Sequence, residues 1–98
     1  MMTFELNYEG FDAYLLSKRF DNELGGIMYR FKFRNNYRAS VVKHKYSYGS
    51  DKDLWELAVI RFRGDDWELD YDTPITSDVE GYLTDKKVRA LLHRIKDL

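Results

Sequence analysis

The 98-residue sequence predicts an α+β fold: an antiparallel β-meander of about four to five strands with a C-terminal amphipathic helix packed on one face. Three observations lead to this prediction. Apolar and polar residues alternate over 27–33 and again over 67–71, as they do in half-buried strands. Residues 54–62 are apolar at nearly every position, and residues 84–98 carry apolar side chains at helical spacing. No repeat or linker interrupts the chain, so we expect a single domain spanning 1–98.

The composition sets the class of protein. Hydrophobic residues make up 44% of the chain and charged residues 34%, which suits a packed core with a hydrated exterior. The absence of cysteine excludes disulfides and thiolate chemistry. The N-terminus does not resemble a signal peptide, and no apolar run approaches the length of a membrane span. We therefore expect a soluble cytoplasmic protein without a membrane partner.

The N-terminal third contains two candidate strands. Alternation over 4–8 predicts a half-buried strand that stops near Gly10. The next segment, 11–20, fits either a helix or a strand. A strand over about 13–20 is favoured, because the following DNELGG resembles a turn that leads directly into another strand.

The clearest element of the sequence is a β-hairpin. Its first arm runs from Ile27 to Phe33 and places aromatic rings on one face and cations on the other. Asn35 and Asn36 supply the turn, since asparagine tolerates the left-handed backbone region. The second arm is expected over 39–48, where valine and tyrosine favour a strand.

The C-terminal half predicts two further strands and the helix. The apolar segment 54–62 is expected to lie centrally in the sheet, covered on both faces, and 67–71 forms a strand that ends before Pro74. Thr84 is suited to cap the helix, and Asp85 faces the positive end of the helix dipole. The helix packs on the sheet through an apolar stripe, which consists of Val88, Leu91, Leu92 and Ile95.

Charges of opposite sign are separated along the chain. Residues 27–48 contain six cations and no acid, and residues 65–80 contain seven acids and no cation. Either the basic hairpin lies beside the acidic strand and the two signs pair within the sheet, or the cations form a binding surface. The candidate binding residues are Arg30, Lys32, Arg34, Arg38, Lys43, Lys45, Tyr37 and Tyr46.

Nucleic acid is one possible partner of this hairpin, because cations neutralise phosphates and interleaved tyrosines stack on unpaired bases. The sequence pI of about 6.1 argues against it, since dedicated nucleic-acid binders are strongly basic. The acidic segment lacks the spaced loop pattern of a calcium site. We therefore expect no metal and no cofactor.

Catalytic signals are few. The chain has two histidines, His44 and His93, and neither belongs to a local catalytic or metal-binding motif. A small hydrolase or nuclease that uses His44 remains an alternative, with His44 acting as a base. The protein is expected not to be an enzyme.

Four sequence strings, FKFRNNYRASVVKHKYSYG, DLWELAVI, YDTPIT and DVEGYLT, occur in this order before a helix that ends in IKDL. Over residues 27–98 this pattern resembles a family of short uncharacterised proteins encoded in phages and prophages of Gram-positive bacteria. The resemblance implies a mobile-element accessory protein that works in the host cytoplasm, and it carries over no catalytic residue. Members of that family have glycine where this chain has Arg38, which implies a different hairpin turn. The matching positions include Ser40, His44, Tyr48, Trp55, Glu56 and Asp72.

These observations together predict a non-enzymatic protein that binds a macromolecule through the sheet face not covered by the helix. A protein partner or self-association through a strand edge is favoured, because exposed aromatic residues beside arginines are typical of binding hot spots. Single-stranded nucleic acid is the alternative partner.

Overall fold

A computed structural model describes residues 5–21, 25–44, 54–63, 66–69 and 80–98. In this part of the chain, one antiparallel sheet of six strands packs on one helix, and the predicted α+β fold is confirmed. The elements are a short 3-10 turn (Asp12–Tyr14), β1 (Leu15–Asp21), β2 (Gly26–Lys32), β3 (Tyr37–Lys43), β4 (Trp55–Arg63), β5 (Asp66–Leu69), β6 (Glu80–Leu83) and α1 (Asp85–Lys96). The strands follow the order β1-β2-β3-β4-β5, and β6 also pairs with β4.

The predicted hairpin is confirmed as β2 and β3. The Phe33 amide donates a hydrogen bond to the Tyr37 carbonyl (3.0 Å), and Asn36 adopts the left-handed region with φ 67°. The Asn35 side chain accepts a bond from the Tyr37 amide and donates one to the Ile95 carbonyl (2.7 Å). The turn therefore also satisfies a carbonyl at the C-terminal end of α1. The second arm ends at Lys43, and the predicted continuation over 45–48 lies outside the described residues.

The central position predicted for 54–62 is confirmed for β4. This strand pairs with β3 along one edge and with β5 and β6 along the other. Trp55, Leu57 and Val59 are buried in the core, whereas Glu56 and Ala58 are half-buried on the opposite face. The expected cover on both faces is therefore incomplete at these two positions. In the described part of the chain, a single helix packs on the sheet, and it lies on the Trp55 face.

The strand predicted over 4–8 is wrong for the described residues of that segment. Residues 5–8 pair with no strand, although Leu6 is buried and its neighbours Glu5 and Asn7 are exposed, as the alternation predicted. The segment crosses the core side of the sheet. Its Leu6 amide donates to the Tyr29 hydroxyl (3.1 Å), and its Asn7 amide donates to a carboxylate oxygen of Asp85 (3.1 Å). The Tyr29 hydroxyl and the Asp85 carboxylate thus accept backbone hydrogen bonds that a neighbouring strand would otherwise accept.

The prediction of a strand over about 13–20 is confirmed by β1, which follows the 3-10 turn. The C-terminal helix is also confirmed. The Thr84 hydroxyl accepts a bond from the Lys87 amide (3.2 Å), which caps the first turn. Val88, Leu92 and Ile95 are buried against the sheet. None of the helices in the described ranges is long and apolar enough to cross a membrane.

Trp55 joins the sheet to the start of this helix. Its side chain is fully buried, its ring meets the Tyr29 ring edge-on at 5.7 Å, and its indole N–H donates to the Asp85 carboxylate (2.7 Å). Because Asp85 also receives the Asn7 amide, one carboxylate holds three parts of the chain together. These are β4, α1 and the N-terminal segment.

Candidate binding face

The sheet face opposite α1 is the candidate functional site, and it is called the outer face below. Side chains of a strand alternate between faces, and directly paired residues of neighbouring strands share a face. Burial and strand register therefore assign its members. They are Ser17, Arg19, Met28, Arg30, Lys32, Arg38, Ser40, Val42, His44, Glu56, Ala58 and Ile60.

The cations of the outer face concentrate on the hairpin formed by β2 and β3. Lys32 lies directly opposite Arg38, and Arg30 lies opposite Ser40 one row away. Arg30 and Lys32 are exposed, and neither forms an ion pair with a carboxylate of the described residues. Alternate residues of a strand share a face, so an anionic partner above β2 would interact with both Arg30 and Lys32.

A row of apolar and uncharged side chains lies among the cations. Met28 pairs with Val42, and Ser40 pairs with Ala58; all four are half-buried. Ile60 follows in the next row, but it is 6% exposed and offers little surface. Glu56 lies directly opposite Val42, so the outer face combines half-buried apolar side chains with cations on β1, β2 and β3 and a carboxylate on β4.

A depression of about 400 Å³ opens at one end of this face. Its lining includes the outer-face residues Arg19, Met28, Val42 and His44, together with Gly26. Cationic Arg19 and apolar Met28 are direct partners across β1 and β2. The depression thus offers an apolar wall beside a guanidinium group, a combination that accepts an apolar side chain next to a carboxylate.

The structure separates the predicted binding residues into four groups. Arg30, Lys32 and Arg38 lie together on the outer face, and Arg34 is exposed in the hairpin turn. Tyr37 and Lys43 belong to the opposite face of β3, together with Ala39 and Val41. The last two predicted residues, Lys45 and Tyr46, lie outside the described residues.

Lys43 is a buried cation in the core. It is 4% exposed, and its ammonium lies 4.2 Å from the centre of the Trp55 ring, as a cation–π contact requires. The strand period places Lys43 on the same face as buried Val41. Every second residue from Ala39 leads to Val41 and then to Lys43, so the strand period in the sequence already indicated that Lys43 lies on the core face. Lys43 therefore does not contribute to the basic outer face.

The described tyrosines of the hairpin do not accompany its cations. Tyr29 is fully buried and its hydroxyl accepts the Leu6 amide, while Tyr37 is half-buried on the core face of β3. Stacking on unpaired bases needs accessible rings beside the cations. The outer face provides cations without such rings among these residues.

The acidic strand does not lie beside the basic hairpin. β5 pairs with β4, so β4 separates it from β3. Two strand spacings amount to about 10 Å, so residues of β3 and β5 are not direct cross-strand neighbours. The alternative in which the hairpin pairs directly with the acidic strand is therefore wrong for residues 67–69, and residues 70–79 lie outside the described part.

Arg19, Met28 and Gly26 were not among the residues selected from the sequence. Arg19 was missed because the cation-rich segment was counted from Ile27, whereas the structure adds β1 to the hairpin edge. Ser17–Asp21 pair regularly with β2, which places Arg19 opposite Met28. The sequence left 11–20 open between helix and strand, so it did not assign Arg19 to a face.

His44 is half-buried at the end of β3 and contributes to the depression beside Arg19. Across the described ranges, no three side chains of histidine, aspartate or glutamate come together as a metal site would require. His93 is on α1, where its imidazole lies 3.4 Å from the Asp97 carboxylate. The two histidines are thus on different elements and do not form a common site.

One exposed ion pair perturbs two ionisable groups on the core side of the sheet. The Lys18 ammonium donates to the Glu5 carboxylate (2.8 Å). This hydrogen bond and the lysine charge lower the pKa of Glu5, and the same hydrogen bond raises the pKa of Lys18. The pair connects the N-terminal segment to β1.

Comparisons with family models, with curated proteins and with solved structures found no match to this chain.

Proposed function

We propose that this protein is a non-enzymatic binding module whose outer face docks an acidic, partly apolar surface of a partner protein. The observation that supports this proposal is the position of exposed Arg30, which lies between the row of Lys32 and Arg38 and the apolar pair Met28 and Val42. Such an accessory role agrees with what the resemblance to phage-encoded proteins implies.

The arrangement of charge supports an anionic partner. A carboxylate that approaches between Arg30 and Lys32, which share a face of β2, interacts with two cations at once. Arginine also offers a planar fork that binds a carboxylate through two hydrogen bonds. Exposed ion pairs contribute about 0.2–1 kcal/mol each, so several such contacts are needed for a stable complex.

The apolar part of the face supports a protein over a nucleic acid. Met28, Val42 and Ala58 are half-buried and have no charge, so a partner that covers them gains from apolar burial. A phosphate backbone gains nothing from these positions, and the described tyrosines lie on the core side. A folded acidic protein or an acidic peptide with apolar residues matches both parts of the face.

The proposal is tested by selecting ligands from a random peptide library on the immobilised protein. We expect enriched peptides to combine aspartate or glutamate with a large apolar residue. The double variant Arg30→Glu/Lys32→Glu replaces attraction by repulsion and should weaken their binding by at least about tenfold, or ~1.4 kcal/mol. Fluorescence anisotropy of one labelled peptide measures the change.

A matched control changes the net charge equally on the other side of the protein. Lys86 and Lys87 are exposed in the first turn of α1, where glutamate is favoured by the helix dipole. Lys86→Glu/Lys87→Glu should leave peptide binding within about twofold. Equal weakening by both double variants, or enriched peptides without acids, would refute the proposal. Tighter binding of a labelled oligothymidine than of any selected peptide would favour the nucleic-acid alternative.

A further inference from the structure

The edge of β1 has features of a second binding surface. In the described part of the chain, β1 pairs with β2 along one side only, so its other side presents backbone donors and acceptors. A bulge between Leu15 and Ser17 limits the regular part of this edge to Ser17–Asp21. Five residues are the length of an ordinary strand, which is enough for an added strand to pair.

Large apolar side chains are exposed on this same strand. Phe20 is 65% exposed and Leu16 is 47% exposed. Both side chains belong to an edge strand. Proteins usually protect such an edge against pairing with other chains. Lys18 and Arg19 lie between them, so the edge presents two adjacent cations flanked by apolar groups.

The cations of β1 oppose two of the registers in which this edge could pair with a second copy of the chain. An antiparallel two-fold pair centred on Lys18 places Lys18 opposite Lys18, and a pair centred on Arg19 places Arg19 opposite Arg19. A pair centred on Phe20 would place Arg19 opposite Asp21, so a second copy is one outcome of the test below. Lys18 already holds a carboxylate, that of Glu5, at 2.8 Å, which shows the chemistry that suits this position.

We infer that the β1 edge binds an extended acidic segment of a partner protein by strand addition. In an antiparallel arrangement, the added strand has an apolar residue opposite Phe20 and acids opposite Arg19 and Lys18. The acid opposite Arg19 lies on the outer-face side, and the acid opposite Lys18 lies on the core side. A second apolar residue meets Leu16, next to the bulge. This edge shares Ser17 and Arg19 with the outer face, but it does not include Arg30, Lys32 or Arg38, the cations on which the proposed function rests.

The test uses a synthetic blocked peptide, TFEETLT, which places F, E, E and L opposite Phe20, Arg19, Lys18 and Leu16. A peptide of the same composition with the order ETFTLTE is the control probe. We expect saturable binding of TFEETLT, slower amide hydrogen exchange within Ser17–Asp21, and binding of the control probe that is weaker by at least about tenfold. Phe20→Ser and Arg19→Glu should each reduce binding of TFEETLT by at least about fivefold. Phe20 and Arg19 are exposed, so neither substitution disturbs the core.

Three results would overturn the inference. The first is no saturable binding at millimolar peptide, in which case the β1 cations serve only to keep the edge unpaired. The second is equal binding of TFEETLT and ETFTLTE. The third is a wild-type dimer that Phe20→Ser dissociates in sedimentation experiments, because the edge would then belong to a second copy. Lys32→Glu should retain binding of TFEETLT, because Lys32 pairs with no residue of β1, and this separates the edge from the cations of the hairpin.

Discussion

The hydrogen bond from Trp55 to Asp85 gives a quantitative prediction about stability. Trp55→Phe removes the indole N–H that donates to the Asp85 carboxylate at 2.7 Å, in a side chain that is fully buried. A hydrogen bond to a charged group contributes about 1.5–3 kcal/mol. The smaller ring also leaves a void, and a loss of roughly 40 Å³ of side-chain volume costs about 1 kcal/mol. We therefore expect the free energy of unfolding to fall by about 3 kcal/mol.

Urea denaturation monitored by circular dichroism measures this loss. The matched partner variant is Asp85→Ala, and a double-mutant cycle with Trp55→Phe isolates the interaction between the two side chains. We expect a coupling free energy of about 1.5–3 kcal/mol. Asp85→Ala alone should also loosen the N-terminal segment, because the Asn7 amide donates to the same carboxylate. A coupling near zero, or a loss below about 1 kcal/mol in Trp55→Phe, would refute the description of this contact as a junction of sheet and helix.

Three further predictions concern the fold. A Cβ at Gly26 would overlap the carbonyl oxygen of Lys43 and the side chain of His44, so Gly26→Ala should destabilise the protein by about 1–3 kcal/mol in urea denaturation; no loss would contradict this close approach. Asn35→Ala removes the bond to the Ile95 carbonyl at the end of α1 and should cost about 1–2 kcal/mol, with faster amide exchange in the last helical turn; unchanged exchange there would count against it. Glu5→Gln should return the raised pKa of Lys18 toward its ordinary value in an NMR titration, and an unmoved pKa would exclude the ion pair.

The ion pair between Glu5 and Lys18 also determines the sign of a pH effect. Because the folded state lowers the pKa of Glu5, its contribution to stability is present above the unfolded pKa and is lost as the pH falls through the folded value. The raised pKa of Lys18 acts at the other end: its contribution is present below the unfolded pKa and disappears as the pH rises through the folded value. Both groups are exposed, so salt should weaken both effects.

Local patterns in the sequence predicted the hairpin and the helix correctly. The alternation from Ile27 to Phe33, the turn at Asn35 and Asn36 and the cap at Thr84 all depend on neighbouring residues. The local structural preferences of these residues agree with their packing in the fold, so the local sequence pattern was enough to predict both elements.

Contacts between distant residues account for the predictions that were wrong. The alternation over 4–8 correctly indicated that Leu6 is buried, but the segment bonds to Tyr29 and Asp85 instead of to a strand. The alternative that paired the hairpin with the acidic strand failed because β4 lies between them. The apolar pattern of 54–62 did predict the central position of β4, but the pairing partners of each strand depend on the packing of the whole sheet.

The candidate site was partly predictable. Arg30 and Lys32 follow from the alternation of β2, and Arg38 follows once the hairpin register is known. Lys43 was included among the candidate binding residues because its charge was counted without its position in the strand period, and the structure buries it on the core face. Arg19 lies on the outer face because it pairs directly with Met28 in the regular part of β1. The number of cations in a segment therefore did not predict which of them lie on the outer face.

The central claim is that the outer face binds an acidic partner, and NMR mapping of a library-selected acidic peptide tests it most directly. We expect the largest chemical-shift changes at outer-face residues of β2, β3 and β4, namely Arg30, Lys32, Ser40, Val42 and Ala58. The exposed residues of α1, Lys86, Lys87 and His93, should remain unchanged. Changes centred on α1, or the same changes with a peptide whose acids are replaced by their amides, would contradict the claim.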